Sequence, residues 1–446
     1  MTIYIDQRAS HHLPGMVSTS YFFHLPLDHA HPSGQTIQVF ARELVSTRYQ
    51  NSQLPYLVYL QGGPGFESPR PHRSGGWIQR ALQEFRVLLI DQRGTGLSTP
   101  VNEQTLAIFT TPHQQAQYLS LFRADSIVYD CELIRHALKS KPWTVLGQSF
   151  GGFCALSYLS LAPQGLDMAL FTGGLPPVNG HADEVYKATY QRVLERNKQF
   201  FKRYPDDRTR INQIVEYLRK NEVKLPSGTR LSVRVFQQLG MRLGAHDGAE
   251  GLHYLLERAF IEGVDGLELN FSFLRQIENL LPFDTNPIYA LLHESIYCQG
   301  QASNWSAHRI GRDLYDLIDE DSHSDYVPDS QKKKEKPVLF TGEMVYPWMF
   351  EDYICLKQLA KTAELLAQKT DWPKLYDIQQ LNQNQVPCAA AIYDNDMYVE
   401  RAFSVQTANQ VNQMKTWVTN EYEHNGLRAD GARIIDRLLR MARGEI

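Results

Sequence analysis

Residues far apart in this chain carry the groups needed for acyl-transfer chemistry: Ser149, His424 and one of two aspartates, Asp394 or Asp396. Ser149 lies in Gly147-Gln148-Ser149-Phe150-Gly151, which follows the apolar Thr144-Val145-Leu146 and leads into Phe153-Cys154-Ala155-Leu156. An apolar strand that breaks into a sharp turn and then a helix holds a serine hydroxyl clear of the backbone. Glycines at 147 and 151 remove the Cβ atoms that would collide where strand and helix pass. A hydroxyl is a weak nucleophile at neutral pH; it needs a base to take its proton and an acid to fix that base's tautomer. In a doubly wound sheet these groups follow in the order serine, acid, histidine. After the late apolar run 386–393 a single histidine remains, His424, in Tyr422-Glu423-His424-Asn425-Gly426. The same run ends in Asp394-Asn395-Asp396. Asp396 begins the turn proper and is the favoured acid, although spacing alone leaves Asp394 open.

A second glycine-rich loop supports the same chemistry. The apolar run 54–60 ends in Gln61-Gly62-Gly63-Pro64-Gly65. Without side chains in the way, backbone N–H groups there can point at an anionic oxygen. The residue after a nucleophilic serine supplies the other such donor, so Gly63 and Phe150 are the candidate oxyanion hole. Asp91 and Arg93, in the loop after the apolar run 85–90, read as structural, with Arg93 organising the loop by ion pairing. His29 and His31 lack acidic or cysteine partners at metal-binding spacing and read as a solvated turn.

These groups need a frame. Apolar runs at 54–60, 85–90, 143–146, 168–172 and 386–393 alternate with helical patterns, notably 124–138 with its stripe of Ile127, Cys131 and Ile134. That alternation predicts an α/β fold with a mostly parallel, doubly wound sheet. From 181 to 336 the buried-strand runs disappear, helical stretches such as 185–203 and 209–220 dominate, and the charged segment 319–336 reads as an exposed loop. The expected organisation is a core of residues 1–180 and 337–446 interrupted by a helical cap, 181–336. A net charge of −4 on 446 residues carries no nucleic-acid footprint. No apolar run reaches membrane-spanning length, and the N-terminus has no signal-peptide pattern. Five scattered cysteines without C-x-x-C spacing argue against a disulfide framework or zinc site and fit a reducing compartment. The expectation is a soluble cytoplasmic protein that needs no metal or cofactor.

Taken together, the stretches 60–65, 91–98 and 147–152 resemble the prolyl aminopeptidase (proline iminopeptidase) group of α/β-hydrolases, and the long cap is similar to that of its larger bacterial branch. Many members have His-Gly-Gly-Pro-Gly where this chain has Gln61. Because oxyanion donors are backbone groups, that departure should alter the packing behind the loop rather than abolish catalysis. The resemblance implies an α/β-hydrolase fold and serine-dependent release of N-terminal proline from peptides, with the free imino group held by cap carboxylates. A buried ammonium needs opposed negative charge. The candidates are Glu294 and Glu343, both in aromatic surroundings, with Tyr297, Tyr346, Trp348 and Phe350 as possible walls of a pyrrolidine slot. Another hydrolase on the same scaffold, such as an esterase or a broader tripeptidyl or alanyl aminopeptidase, is the alternative. The sequence leaves the oligomeric state open.

Overall fold

The computed structural model describes residues 3–264, 266–315 and 338–446; the charged segment 319–336 lies outside them. In chain order the strands are β1 (Tyr4–Gln7), β2 (His11–Leu13), β3 (Met16–Pro26), β4 (Thr36–Ser46), β5 (Tyr56–Leu60), β6 (Arg86–Asp91), β7 (Trp143–Gln148), β8 (Leu166–Thr172), β9 (Phe260–Gly263), β10 (Gly266–Leu269), β11 (Cys388–Tyr393) and β12 (Met414–Thr419). All but β9 and β10 form one ten-stranded sheet of order β1-β3-β4-β6-β5-β7-β8-β11-β12, with β2 paired to β3. The strands from β6 through β12 in that order run parallel. The N-terminal strands extend the β6 edge antiparallel.

The parallel strands read as unbroken apolar runs because both of their faces are covered. Val58, Leu60, Leu88, Ile90, Val145 and Phe171 share one core with Ile127 and Ile134 of helix Ala124–Ala137 and with Phe153 and Leu156 of helix Phe150–Leu161. Alternate residues Leu57, Tyr59, Val87, Leu89, Leu146 and Leu170 pack into a second core with Trp77 and Ile78 of helix Gly76–Ala81 and Ile434, Ile435, Leu438 and Leu439 of helix Gly431–Arg443. Each large apolar side chain buried this way contributes roughly 1.5–3 kcal/mol. The loops at the strand ends therefore stand on a stiff base.

Asp91 is structural. It accepts from the backbone N–H groups of Ser68 (3.1 Å) and Leu97 (2.9 Å) and pairs with Arg70. Arg93 is bidentate to Asp130, at 2.6 and 2.8 Å, and ties the loop after β6 to helix Ala124–Ala137. The sequence reading of His29 needs correction: its Nε2 lies 3.0 Å from Asp130 Oδ1, so it joins this buried ion pair instead of facing solvent. Its acidic partner is 101 residues away and no local spacing could reveal it. His31 is exposed, against Asp28.

Between β8 and β11 the chain leaves the sheet for helices Ala182–Arg203, Asp207–Lys220, Gly248–Glu257, Phe271–Leu280, Pro287–Leu292 and Ser306–Ile310. This region is not purely helical, because β9 and β10 pair as an antiparallel hairpin separate from the main sheet. At four residues per strand, with Ile261 and Leu267 exposed, the hairpin has no alternation long enough to register in the sequence.

Candidate active site

Strand β7 delivers Ser149 to the start of helix Phe150–Leu161 with φ 53° and ψ −126°, a backbone conformation that costs a non-glycine residue about 1–3 kcal/mol. The Ser149 N–H bonds to the Thr172 carbonyl at 3.1 Å, which fixes the turn against the end of β8. A Cβ on Gly151 would fall 1.9 Å from the Leu60 carbonyl oxygen, so only glycine lets the helix begin this close to β5. A Cβ on Gly62 would fall 3.5 Å from Ser149 Oγ, which places the glycine loop directly at the hydroxyl. The Gly63 N–H has no backbone partner among the described residues. Phe150 is the first residue of its helix, where an N–H has no intrahelical carbonyl to bond. Behind the loop, Gln61 Oε1 accepts from the Tyr59 hydroxyl at 2.9 Å, and the Gln61 carbonyl accepts from Gln92 Nε2 at 3.1 Å.

On the far side of Ser149, Gly173 and Gly174 lead out of β8. A Cβ on Gly174 would lie 2.6 Å from the Ser149 carbonyl, and one on Gly173 would lie 3.1 Å from His424 Nδ1. One dipeptide thus packs against both the serine and the histidine. His424 Nδ1 lies 2.7 Å from Asp396 Oδ2. Asp396 is 1% exposed, and its other oxygen accepts from the N–H groups of Tyr398 (2.9 Å) and Val399 (3.1 Å). A carboxylate only accepts, so Nδ1 carries the proton and Nε2 keeps a free lone pair. Asp394 instead forms a partly exposed pair with Arg401 at 3.0 Å. Burial alone would lower the His424 pKa, but the Asp396 charge and hydrogen bond, with a further contribution from Glu343, raise it above the ordinary value.

Glu343 and Glu294 have different surroundings. Glu343 Oε1 lies 2.7 Å from His293 Nε2, and His293 Nδ1 lies 3.2 Å from the Tyr186 hydroxyl. Glu343 lines a narrow cavity with Tyr186, His293, Tyr297, Met397 and Tyr398. Tyr297 also touches the helix behind the serine, its ring 5.6 Å from that of Phe153. Tyr398 meets the His424 ring edge-on at 4.7 Å. Burial first, then the charges of Glu343 and Asp396, push the hydroxyls of Tyr297 and Tyr398 well above their ordinary pKa values. The cavity therefore adjoins the Asp396–His424 pair. Glu294 lines another cavity, and both of its oxygens accept backbone N–H groups, from Ser306 (3.1 Å) and Ala307 (2.8 Å). Burial raises its pKa against those bonds, while its charge is felt at Tyr186.

The expected aromatic wall is only partly in place. Tyr297 lines the Glu343 cavity, whereas Tyr346 and Trp348 stack on each other at 5.1 Å within the core. Tyr346 is also bonded to the Tyr190 hydroxyl at 3.1 Å, and Trp348 carries the Arg234 guanidinium on its ring. Phe350 packs on Trp305. Sequence reasoning missed Tyr186, His293 and Tyr398. Tyr398 alone carried a signal, as part of the turn that holds Asp396; the others come together through contacts 50 and 107 residues apart.

A mostly parallel sheet with a strained serine elbow, a facing glycine loop and an Asp–His pair after the last two strands defines an α/β-hydrolase. A family model described as alpha/beta hydrolase fold matches residues 55–261. The chain is 50% identical over 433 residues to a proline iminopeptidase of Aeromonas sobria, covering 97% of this chain and 98% of that protein. It is 36% identical over 448 residues to a proline iminopeptidase of Aspergillus aculeatus, covering 98% and 97%. The chain belongs to the proline iminopeptidase family of α/β-hydrolases.

Proposed function

We propose that this enzyme is a serine exopeptidase that releases N-terminal proline from peptides through an acyl-enzyme, with the described part of 181–336, extended by the segment that carries Glu343, acting as the cap. The observation that carries the reading is Glu343: a carboxylate held through one oxygen by His293, with the Tyr289 hydroxyl nearby, in a tyrosine-lined slot that adjoins Asp396 and His424. A protonated imino group at the mouth of that slot, whose free volume is about 10 Å³, meets a negative charge and tyrosine rings, both of which stabilise a desolvated cation. Glu343 makes the contact, and Glu294 adds negative potential from behind the Tyr186 wall.

With the amine held there, the carbonyl of the first residue lies toward Ser149. His424 Nε2 takes the hydroxyl proton as Ser149 Oγ attacks, and Asp396 stabilises the imidazolium. The N–H groups of Gly63 and Phe150 receive the oxyanion. The C–N bond then breaks, and His424 returns the proton to the departing amine. Water, activated by the same nitrogen, cleaves the Ser149 ester and releases proline. Five free thiols, four of them buried, suit action in a reducing cytoplasm.

A panel of proline arylamide, alanine arylamide, N-acetylproline arylamide and a p-nitrophenyl ester tests this reading. Proline arylamide should be the best of the three amides, and a serine-directed reagent should stop its turnover. Equal cleavage of free and N-blocked proline would exclude an exopeptidase, and ester turnover without amide turnover would favour an esterase.

A further inference from the structure

His293 is a buried titratable side chain to which the steps above give no task. It is 2% exposed, and its ring packs 4.7 Å from that of Tyr289. Its two nitrogens are both engaged, Nε2 with Glu343 Oε1 at 2.7 Å and Nδ1 with the Tyr186 hydroxyl at 3.2 Å. Because a carboxylate accepts only, Nε2 must carry a hydrogen, and in the neutral ring Nδ1 then accepts from Tyr186. Burial, together with the Glu294 charge, keeps the Tyr186 hydroxyl protonated. The three side chains form a directed chain of donors, Tyr186 to His293 to Glu343, that ends on Oε1. Oε2 accepts no well-formed hydrogen bond among the described residues, although the buried Tyr289 hydroxyl lies close enough to feel the Glu343 carboxylate.

We propose that His293 is a positioning residue for substrate recognition: it pins Oε1 of Glu343 and so aims Oε2 at the cationic N-terminus of the substrate. The inference rests on Glu343 being the amine anchor. A free glutamate would lose rotamer freedom on capturing an amine, and a carboxylate already held by a donor has lost it beforehand. In the tautomer with its hydrogen on Nε2 alone, the imidazole does this without cancelling charge. Lysine or arginine at the same place would pair with Glu343 and remove the field that attracts the ammonium.

The test compares His293→Leu, His293→Gln, Tyr186→Phe and Glu343→Gln in the full chain. The readouts are KM and kcat on proline arylamide and the inhibition constant of pyrrolidine, which presents the amine alone. His293→Leu should raise both KM and the pyrrolidine constant about tenfold with kcat changed less than about threefold, the size expected for one charge-assisted hydrogen bond. His293→Gln keeps an N–H donor near the Nε2 position and should restore both constants to within about threefold of the parent. Tyr186→Phe keeps the ring and should raise both about two- to threefold, which supplies a reading even where His293→Leu fails to fold. Unchanged constants in His293→Leu or Tyr186→Phe, a loss confined to kcat, or a glutamine variant as impaired as leucine would each overturn the proposal. A Glu343→Gln enzyme with unaltered KM would remove the amine anchor itself, and this inference with it.

Discussion

Two histidine–carboxylate pairs, each with a 2.7 Å contact, stand on either side of Tyr398, one in the cavity wall and one beside it, and they leave opposite partners open. In the pair on the sheet side, the carboxylate is saturated. Asp396 accepts from two backbone N–H groups as well as His424, so the free valence is on the imidazole. In the pair on the inserted side, the imidazole is saturated. His293 is capped by Tyr186, so the remaining acceptor capacity is on Glu343, beside the Tyr289 hydroxyl. In the proposed mechanism the same two residue types serve as a proton acceptor in one place and a cation acceptor in the other. What differs is which partner has its remaining hydrogen-bonding capacity taken up by neighbours.

The largest effect is expected from removing the group that the sheet-side pair is proposed to serve. Ser149→Ala should lower kcat/KM on proline arylamide about 10⁴-fold or more, with an unchanged far-UV circular dichroism spectrum. Asp396→Asn should follow at about 10³–10⁴-fold, because an amide in place of the carboxylate favours the wrong imidazole tautomer. Asp394→Asn, which breaks only the pair with Arg401, should stay within about threefold. Steady-state kinetics on the two variants separates the two aspartates directly.

On the inserted side the effect moves to binding. Glu343→Gln should raise KM about 10- to 100-fold and change kcat much less. It should also reshape the pH profile. Glu343 helps hold the His424 pKa above its ordinary value, and the base works only when neutral. Activity is therefore lost as pH falls through that raised pKa. Removing the Glu343 charge lowers the pKa, so the acid limb of kcat/KM against pH, which reports the free enzyme, should shift to lower pH. The smallest effect belongs to the aromatic pair in the core. Tyr346→Phe loses one hydrogen bond to Tyr190, which should cost about 1 kcal/mol in denaturant unfolding while leaving KM unaltered.

The sheet side was far more legible in the sequence than the inserted side, for a physical reason. Strands covered on both faces must be apolar throughout, so β5, β6, β7, β8 and β11 stand out as runs. Ser149 is marked by the glycines its turn requires, and His424 by being the last histidine after those runs. Choosing Asp396 over Asp394 needed the backbone, since only the turn shows which carboxylate receives the Tyr398 and Val399 N–H groups. Around Glu343 no period links the partners: Tyr186, His293 and Tyr398 come from three separate segments. Composition does not distinguish a slot wall from core either, which is how Tyr346 and Trp348 came to be expected beside the substrate. His29 shows the same limit, its role being set by Asp130 on a distant helix.

Glu343 is proposed to make this hydrolase an exopeptidase by holding the substrate's amine. The most direct measurement is the ratio of kcat/KM for free against N-acetylated proline arylamide, in the parent enzyme and in Glu343→Gln. The ratio should be about 100 or more in the parent and fall by at least about tenfold in the variant, mainly through loss on the free substrate. A ratio near one in the parent, or a large ratio that survives in Glu343→Gln, would contradict this role for Glu343.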